Sequence, residues 1–131
     1  MRDRLVVAAL AIVALAIGVY LSYERSRGRA PVCPIGGGCA TVQASRYAQL
    51  AGIPVSTLGS AGAFALLATT ATRWRHAVVL TFAIAATGAA FSLYLTSLEA
   101  FVIDAWCAWC VASATTWVGA AVVSGYRVLR A

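Results

Sequence analysis

Two cysteines near the end of the chain have the spacing that dithiol chemistry uses. The stretch Asp104-Ala105-Trp106-Cys107-Ala108-Trp109-Cys110 precedes the last apolar run and contains the C-x-x-C pair. Residues three apart on a helix share a face, so the sulfurs of Cys107 and Cys110 can meet after a small local adjustment. This spacing indicates a redox-active dithiol.

The residues before this pair predict a reactive first cysteine. Asp104 is expected to cap a helix, which makes Ala105 its first residue and Cys107 its third. Unpaired backbone N–H groups and the positive end of the helix dipole lie at that position. Both favour the thiolate, which is the nucleophilic form. Cys107 is therefore expected to take part in disulfide exchange.

The other two cysteines, Cys33 and Cys39, lie in the one long polar segment. Pro34 and the three glycines 36–38 between them disfavour regular structure. A cysteine pair on such a loop can approach a partner and then swing back. A static disulfide that closes a loop explains the C-x5-C spacing equally well.

Two non-relay uses of the four cysteines are less consistent with their spacing. A structural zinc site usually draws on two closely spaced knuckles in water, whereas here one pair is wider and the other begins an apolar helix. Two structural disulfides would include one within a single helical turn, which closes almost no loop. A redox relay accounts for both spacing and position, and we expect no metal.

The composition predicts an integral membrane protein. The 131 residues are 62% hydrophobic, and their mean hydropathy is +0.85. Four apolar stretches are each close to the ~20 residues that a bilayer requires. We expect one all-α domain over residues 1–131, a four-transmembrane-helix bundle with a long extracytoplasmic cysteine loop at 24–54. The expected helices are Leu5–Tyr23, Val55–Thr72, Ala77–Leu98 and Cys107–Tyr126.

The charge distribution predicts topology rather than nucleic-acid binding. The net charge of +6 comes from ten arginines and four acids, and the arginines lie only in loops and at helix ends. Six fall on the side of the two termini, and four fall in the long loop. We therefore expect cytoplasmic termini, with all four cysteines outside, where disulfides persist.

Two further segments carry alternatives. Arg2, Arg4 and the apolar run after them also resemble a signal peptide, but the run is long and no clear cleavage site follows, so a retained helix is favoured. Ala40–Gly52 is amphipathic enough to predict a short helix at the membrane surface, with Gly52 as its stop and Pro54 in the first turn of the next helix.

Several motifs together resemble the bacterial form of the vitamin K epoxide reductase family. They are the C-x5-C pair followed by Ser45, the stretch Ala51-Gly52-Ile53-Pro54-Val55-Ser56, and Phe91-Ser92-Leu93-Tyr94-Leu95 leading to the C-x-x-C pair. The resemblance implies a four-helix bundle that holds a quinone at its outer end. It also implies a DsbB-like task, the re-oxidation of a periplasmic thioredoxin-fold protein.

Carried over by position, the resemblance implies a role for each site residue. Cys33 and Cys39 would accept electrons from the protein partner, and Cys107 would exchange with Cys39. Cys110 would face the quinone, ubiquinone or menaquinone, and Ser45 would lie near the quinone pocket. The implied location is the bacterial inner membrane, as a multi-pass protein with its active site on the extracytoplasmic side.

Two departures from the family pattern modify this expectation. Ala114 stands where the vertebrate enzymes carry a tyrosine, which disfavours vitamin K epoxide as substrate. Many bacterial members continue into a thioredoxin-like domain, whereas this sequence ends at Ala131, so a separate DsbA-like partner is expected. The alternatives are a non-catalytic membrane scaffold with structural disulfides, and a quinol-driven or vitamin K epoxide-type reductase that uses the same cysteines.

Overall fold

The computed structural model describes residues 2–27, 49–50, 53–72, 75–103 and 108–130. This part of the chain forms four α-helices, one π-helical turn and two short strands. The helices are α1 (Arg2–Ser26), α2 (Val55–Ala71), α3 (Ala77–Leu98) and α4 (Ala108–Arg130), with the π-helical turn at Glu99–Ile103.

Three of the helical segments are long and apolar enough to cross a membrane: Arg2–Ser26, Ala77–Val102 and Ala108–Arg130. The fourth, α2, is apolar but has only 17 residues. Large apolar side chains point away from the bundle, Phe64 and Val122 among them. Such faces suit lipid, which is as apolar as they are. The chain is an all-α membrane protein, as its composition predicts.

A two-stranded hairpin immediately precedes α2. Strand β1 (Gln49–Leu50) pairs antiparallel with β2 (Ile53–Pro54). The helix predicted over Ala40–Gly52 is therefore wrong at Gln49–Leu50, and its other positions lie outside the described residues. Gly52 and Pro54 disfavour a helix there, and the β-branched Ile53 favours extended backbone. Pro54 ends β2, so α2 begins one residue after it.

Contacts at both ends of the first two helices show that α1 and α2 run antiparallel. Arg4, at the start of α1, binds backbone carbonyls at the end of α2. Ser22, near the end of α1, contacts Ser56 at the start of α2. We call the end that holds Asp3 and Arg130 the terminus end, and the opposite end, where α4 begins, the cysteine end.

The helices pack through small side chains. The buried cluster contains one large ring, Trp117, among mostly small or aliphatic residues: Val7, Ala11, Ala14, Ala63, Leu66, Ala85, Ala89 and Ala120. At Gly18 the backbones of α1 and α2 approach so closely that a Cβ would lie 3.2 Å from the Ser56 carbonyl oxygen. In lipid, association depends on this kind of close packing, which holds the bundle together beneath its cysteine end.

Candidate active site

One of the five predicted site residues lies in the described part of the chain. Cys110 occupies the first described turn of α4 and is half-buried. Cys33, Cys39, Ser45 and Cys107 lie outside the described residues, as does the predicted Asp104 cap. The site is therefore built here from Cys110 and from the helix ends that surround it.

Cys110 begins the face of α4 that points into the bundle. Ala114 and Trp117 follow it by four and seven positions, and both are buried. Residues at these spacings share one face of a helix. Val111, the next residue along the chain, is exposed instead. The thiol of Cys110 consequently lies where the bundle interior meets the cysteine end.

An aromatic contact joins the start of α4 to the end of α1. The rings of Trp109 and Tyr20 lie 5.1 Å apart between centroids and are tilted by 49°. Such tilted pairs contribute about 0.5–1.5 kcal/mol beyond their buried area. This contact positions the first turn of α4, and with it Cys110, against α1.

Hydroxyl groups line the neighbouring junction between α1 and α2. Ser22 Oγ donates to Ser56 Oγ at 3.2 Å and lies 3.4 Å from Thr57 Oγ1. Both α2 residues lie in its first turn, directly after the β1–β2 hairpin. This part of the cysteine end is therefore polar but uncharged.

An acidic side chain lies close to these aromatic and hydroxyl contacts. Glu24 is buried and follows Tyr20 by one helical turn on α1. Residues four apart on a helix are neighbours on one face. The carboxyl group therefore shares the face of α1 that carries the aromatic contact to α4.

Trp117 forms an apolar floor beneath the cysteine end. Its ring covers Gly88 on α3 so closely that any Cβ there would overlap it, and a Cβ on Gly62 of α2 would lie 3.3 Å from the ring. Seven residues of helix separate Trp117 from Cys110, a rise of about 10 Å. The buried Ala114 and the half-buried Ser113 project from this side of α4 between the two residues.

The comparison with known families identifies the chain. Residues 5–124 match the model of the vitamin K epoxide reductase family. This match covers far more than half of the sequence. The chain belongs to the vitamin K epoxide reductase family.

Membership makes the chain a membrane oxidoreductase, in agreement with its apolar helices. Proteins of this family use quinones in general and work with a thioredoxin-like partner. All four cysteines and Ser45 fall within the matched range. The family resemblance inferred from the cysteine and Gly-Ile-Pro-Val-Ser motifs is thus confirmed.

The described residues fit a quinone by their chemistry. A flat apolar ring needs aromatic or small apolar neighbours, and its two carbonyl oxygens need hydrogen-bond donors. The cysteine end offers the Trp109 and Tyr20 rings, and the hydroxyl groups of Ser22 and Ser56. The Cys110 thiol lies at the same end.

Sequence reasoning missed several residues that shape this end. Tyr20 and Ser22 belong to an apolar run that was interpreted only as a span. The polar atoms of these two side chains, near the end of the run, indicate contacts with other helices, because Tyr and Ser side chains inside a bundle need hydrogen-bond partners. Trp117 carries no such signal, because the run from Cys110 to Tyr126 is apolar on nearly every side.

Proposed function

We propose that this protein is a quinone-dependent thiol–disulfide oxidoreductase that re-oxidises a separate thioredoxin-fold protein. Electrons would pass from that partner to Cys33 and Cys39, then to Cys107 and Cys110, and finally to a quinone. The observation that carries the proposal is the position of Cys110, half-buried at the start of the inward face of α4. A thiol placed there can face the apolar interior and remain within reach of its C-x-x-C partner.

The relay consists of balanced disulfide exchanges. A thiolate of the reduced partner attacks the Cys33–Cys39 disulfide and releases Cys39, and the partner's second thiol then frees Cys33 as the partner becomes oxidised. Cys39 attacks Cys107 of the Cys107–Cys110 disulfide and releases Cys110 as a thiolate. Cys33 then attacks Cys39, which restores the first disulfide and leaves Cys107 and Cys110 reduced. Each exchange needs a thiolate attacker and a good leaving thiol.

The surroundings of Cys110 support its role as the last thiol in the relay. A thiolate is costly to bury among apolar groups, whereas N–H groups in the first turn of a helix stabilise it. A bound quinone supplies the two-electron acceptor. Trp109 and Tyr20 would hold the ring plane beside the thiol, and Ser45 is proposed to lie near the same pocket. Ubiquinone and menaquinone both have the required flat ring.

The contacts of α2 support four membrane crossings. Its two ends meet α1 at Arg4 and at Ser22, eighteen residues apart on that helix. At 1.5 Å per residue this separation is about 27 Å, close to the ~30 Å of a bilayer core. We infer that α2 crosses together with α1, and that residues 1–131 form one four-helix membrane domain with the cysteine loop at 24–54.

The arginine distribution supports an orientation for that domain. Six arginines lie on the side of the two termini, in short segments, against four in the long loop. We infer cytoplasmic termini and an extracytoplasmic cysteine end in the bacterial inner membrane. A membrane-impermeant thiol reagent applied to reduced, intact cells should then label Cys33 and Cys39. Protection of both until lysis would contradict this orientation.

Anaerobic reduction of a quinone analogue by the purified protein tests the function. With a reduced DsbA-like partner the wild type should reduce the quinone, and Cys110→Ala should abolish the reduction while quinone still binds. Cys33→Ala should block electron entry from the protein partner but leave reduction by a small dithiol largely intact. Val111→Ala, a change at the exposed neighbour of Cys110, is the matched control and should retain activity.

Two results would contradict the assignment. A wild-type protein that never cycles with quinone would be a scaffold braced by structural disulfides. Near wild-type turnover of Cys110→Ala with a small dithiol would show that electrons take another path.

A further inference from the structure

Buried polar side chains of the described residues lie at both ends of the bundle. Those at the terminus end carry hydroxyl groups: Thr70, Thr81 and Ser124, the last one turn before Arg127. At the cysteine end Glu24 is buried, with 9% of its surface exposed. Its carboxyl group, unlike a hydroxyl, can gain and lose a proton near neutral pH. The relay of thiols does not use this group, although protons must move whenever a dithiol is oxidised.

Two contacts fix the register between α1 and α4. A Cβ on Gly119 would lie 3.3 Å from Leu10 Cδ1, and the Trp109 ring packs on the Tyr20 ring. Ten residues forward on α1 therefore correspond to ten residues backward on α4, so the two helices are antiparallel. Glu24 follows Tyr20 by one turn. It consequently lies about 6 Å beyond the ring pair along the bundle axis, just above the first described turn of α4.

The side chains of Glu24 and Cys110 lean towards each other along that axis. The Cα–Cβ bonds of an α-helix tilt towards its N-terminus. The N-terminus of α1 is at the terminus end and that of α4 at the cysteine end, so the two side chains tilt in opposite directions. Glu24 follows the buried Leu21 by three positions, and Cys110 precedes the buried Ala114 by four. The carboxyl and the thiol therefore point into the same part of the bundle interior.

The charges around Glu24 come mostly from its own helix. The ionisable side chains nearby among the described residues are Tyr20, Tyr23, Arg25 and Arg27 on α1, and Cys110 on α4. Arg25 is the next residue after Glu24, and sequence neighbours do not face each other on a helix. Arg27 is exposed and binds the hydroxyl and the ring of Tyr23. The first turn of α2 contributes only hydroxyl groups. The thiol is thus the ionisable group that another described helix directs towards Glu24.

The charge states of this carboxyl and this thiol are linked. Two negative charges in apolar surroundings repel strongly, because a low dielectric screens them poorly. When the Cys110 thiol is ionised, a proton on Glu24 removes that repulsion. When Cys110 is held in a disulfide it carries no charge, and the carboxylate is favoured. Oxidation of the dithiol should therefore release the proton of Glu24.

We propose that Glu24 carries a proton from the C-x-x-C dithiol to the quinone, an inference that rests on the proposed function. In this reaction two S–H bonds break, one S–S bond forms, and two electrons and two protons convert the quinone to a quinol. The Glu24 carboxylate accepts the proton of the Cys110 thiol, and the resulting carboxylic acid donates it to one quinone oxygen. The proton of the second thiol passes to water, and water supplies the proton for the other oxygen. Glu24 is a carboxylate again after each turnover.

Stopped-flow reduction of a quinone analogue tests this role. The full chain is reduced with a small dithiol, freed of excess reagent and mixed anaerobically with the analogue. Glu24→Gln keeps the size of the side chain but cannot ionise, and it should reduce the quinone about a hundredfold more slowly, since general acid–base catalysis contributes roughly 10²–10⁴-fold. Quinone binding should be unchanged. The rate should also rise more steeply with pH than in the wild type, because the thiol must then lose its proton to hydroxide. Glu24→Asp should restore part of the rate.

Asp3→Asn is the matched control, because it makes the same change of charge at the terminus end. It should leave both the rate and its pH dependence unchanged. A wild type that reduces the quinone beside an equally fast Glu24→Gln variant would overturn this inference and leave the proposed function intact. A Glu24→Gln variant that is slower but keeps the wild-type pH dependence would show a structural role and would also overturn it. A wild type that never reduces the quinone would overturn the proposed function and this inference together.

Infrared difference spectroscopy keeps the test decisive if Glu24→Gln fails to fold. Oxidation of the reduced wild type by the quinone analogue should remove the C=O band of a carboxylic acid. The band should shift in Glu24→Asp, which assigns it to this residue. A wild-type spectrum without such a band would overturn the proposal.

Discussion

The two ends of the bundle are joined by different kinds of contact. At the terminus end, arginine side chains bind helix carbonyls and a carboxylate. At the cysteine end, the described contacts are a tilted ring pair and a group of hydroxyls. Charge-assisted bonds are roughly twice as strong as neutral ones. Charge-assisted bonds thus fix the helices at the terminus end, whereas a ring pair and hydroxyl groups join α1 to α4 and to α2 at the end that holds Cys110.

Such a division suits disulfide exchange. The rings of Trp109 and Tyr20 and the hydroxyl groups of Ser22 and Ser56 are uncharged and tolerate both the thiol and the thiolate. Trp117, between the two ends, separates the polar interior near Arg127 from the site of chemistry.

The largest effect on stability is expected at the Trp117 floor. Gly88→Ala places a Cβ inside the contact distance of the ring, so the ring or the helix must move. Overpacking of this kind typically costs about 1–3 kcal/mol. Gly59→Ala is the matched control, because a Cβ there meets nothing within 4 Å. Unfolding in detergent should show a lower free energy of unfolding for Gly88→Ala but not for Gly59→Ala. Equal stability of the two variants would refute the close contact.

A smaller loss of stability is expected when a contact at the terminus end is removed. Arg4→Gln removes two charge-assisted bonds to the end of α2 and should lower the free energy of unfolding by about 1–2 kcal/mol, since the group is partly exposed. Arg2→Gln, at an exposed position two residues earlier, should have little effect. Thermal unfolding monitored by circular dichroism compares the two. The fraction of Arg4→Gln protein that remains folded should reduce quinone at a rate near that of the wild type. A lower rate in this folded fraction would show that the terminus end also affects the cysteine end.

The smallest effect on stability is expected for the ring pair at the cysteine end. A double-mutant cycle with Tyr20→Leu and Trp109→Leu should give a coupling of about 0.5–1.5 kcal/mol. Tyr23→Leu is the control, since that exposed ring contacts Arg27 instead. Although Tyr20→Leu should change the stability only slightly, it should lower the rate of quinone reduction more than Arg4→Gln does. The opposite order would place the ring pair outside the site.

Much of the fold follows from the sequence because span length and apolar content are local properties. The predicted Ala77–Leu98 helix matches α3, and the Val55 start of α2 is also correct. The packing of the helices could not be predicted in the same way. Helices that are apolar on nearly every side carry no periodic signal for the buried face, so nothing distinguishes the position of Gly88 from that of Gly59.

Less of the candidate site than of the fold could be predicted from the sequence. A redox role for Cys110 is predicted from the C-x-x-C spacing, and the structure places this residue at the start of the inward face of α4. The contact between Trp109 and Tyr20 joins residues far apart in the chain, so no local pattern reveals it. Likewise, Arg127 and Arg130 look alike in sequence, yet only Arg130 meets Asp3.

The relay between the two cysteine pairs is the central claim, and disulfide mapping of Cys110→Ala tests it most directly. This change removes the partner with which Cys107 forms the C-x-x-C disulfide, so Cys107 remains a thiol. Its thiolate should attack Cys39 of the Cys33–Cys39 disulfide and release Cys33, and no second C-x-x-C thiol is present to displace Cys39 again. Peptide mapping of the variant, after reduction and then re-oxidation by the oxidised form of the DsbA-like partner, should show a Cys39–Cys107 disulfide. A variant that contains only the Cys33–Cys39 disulfide would contradict the relay and indicate two independent bridges.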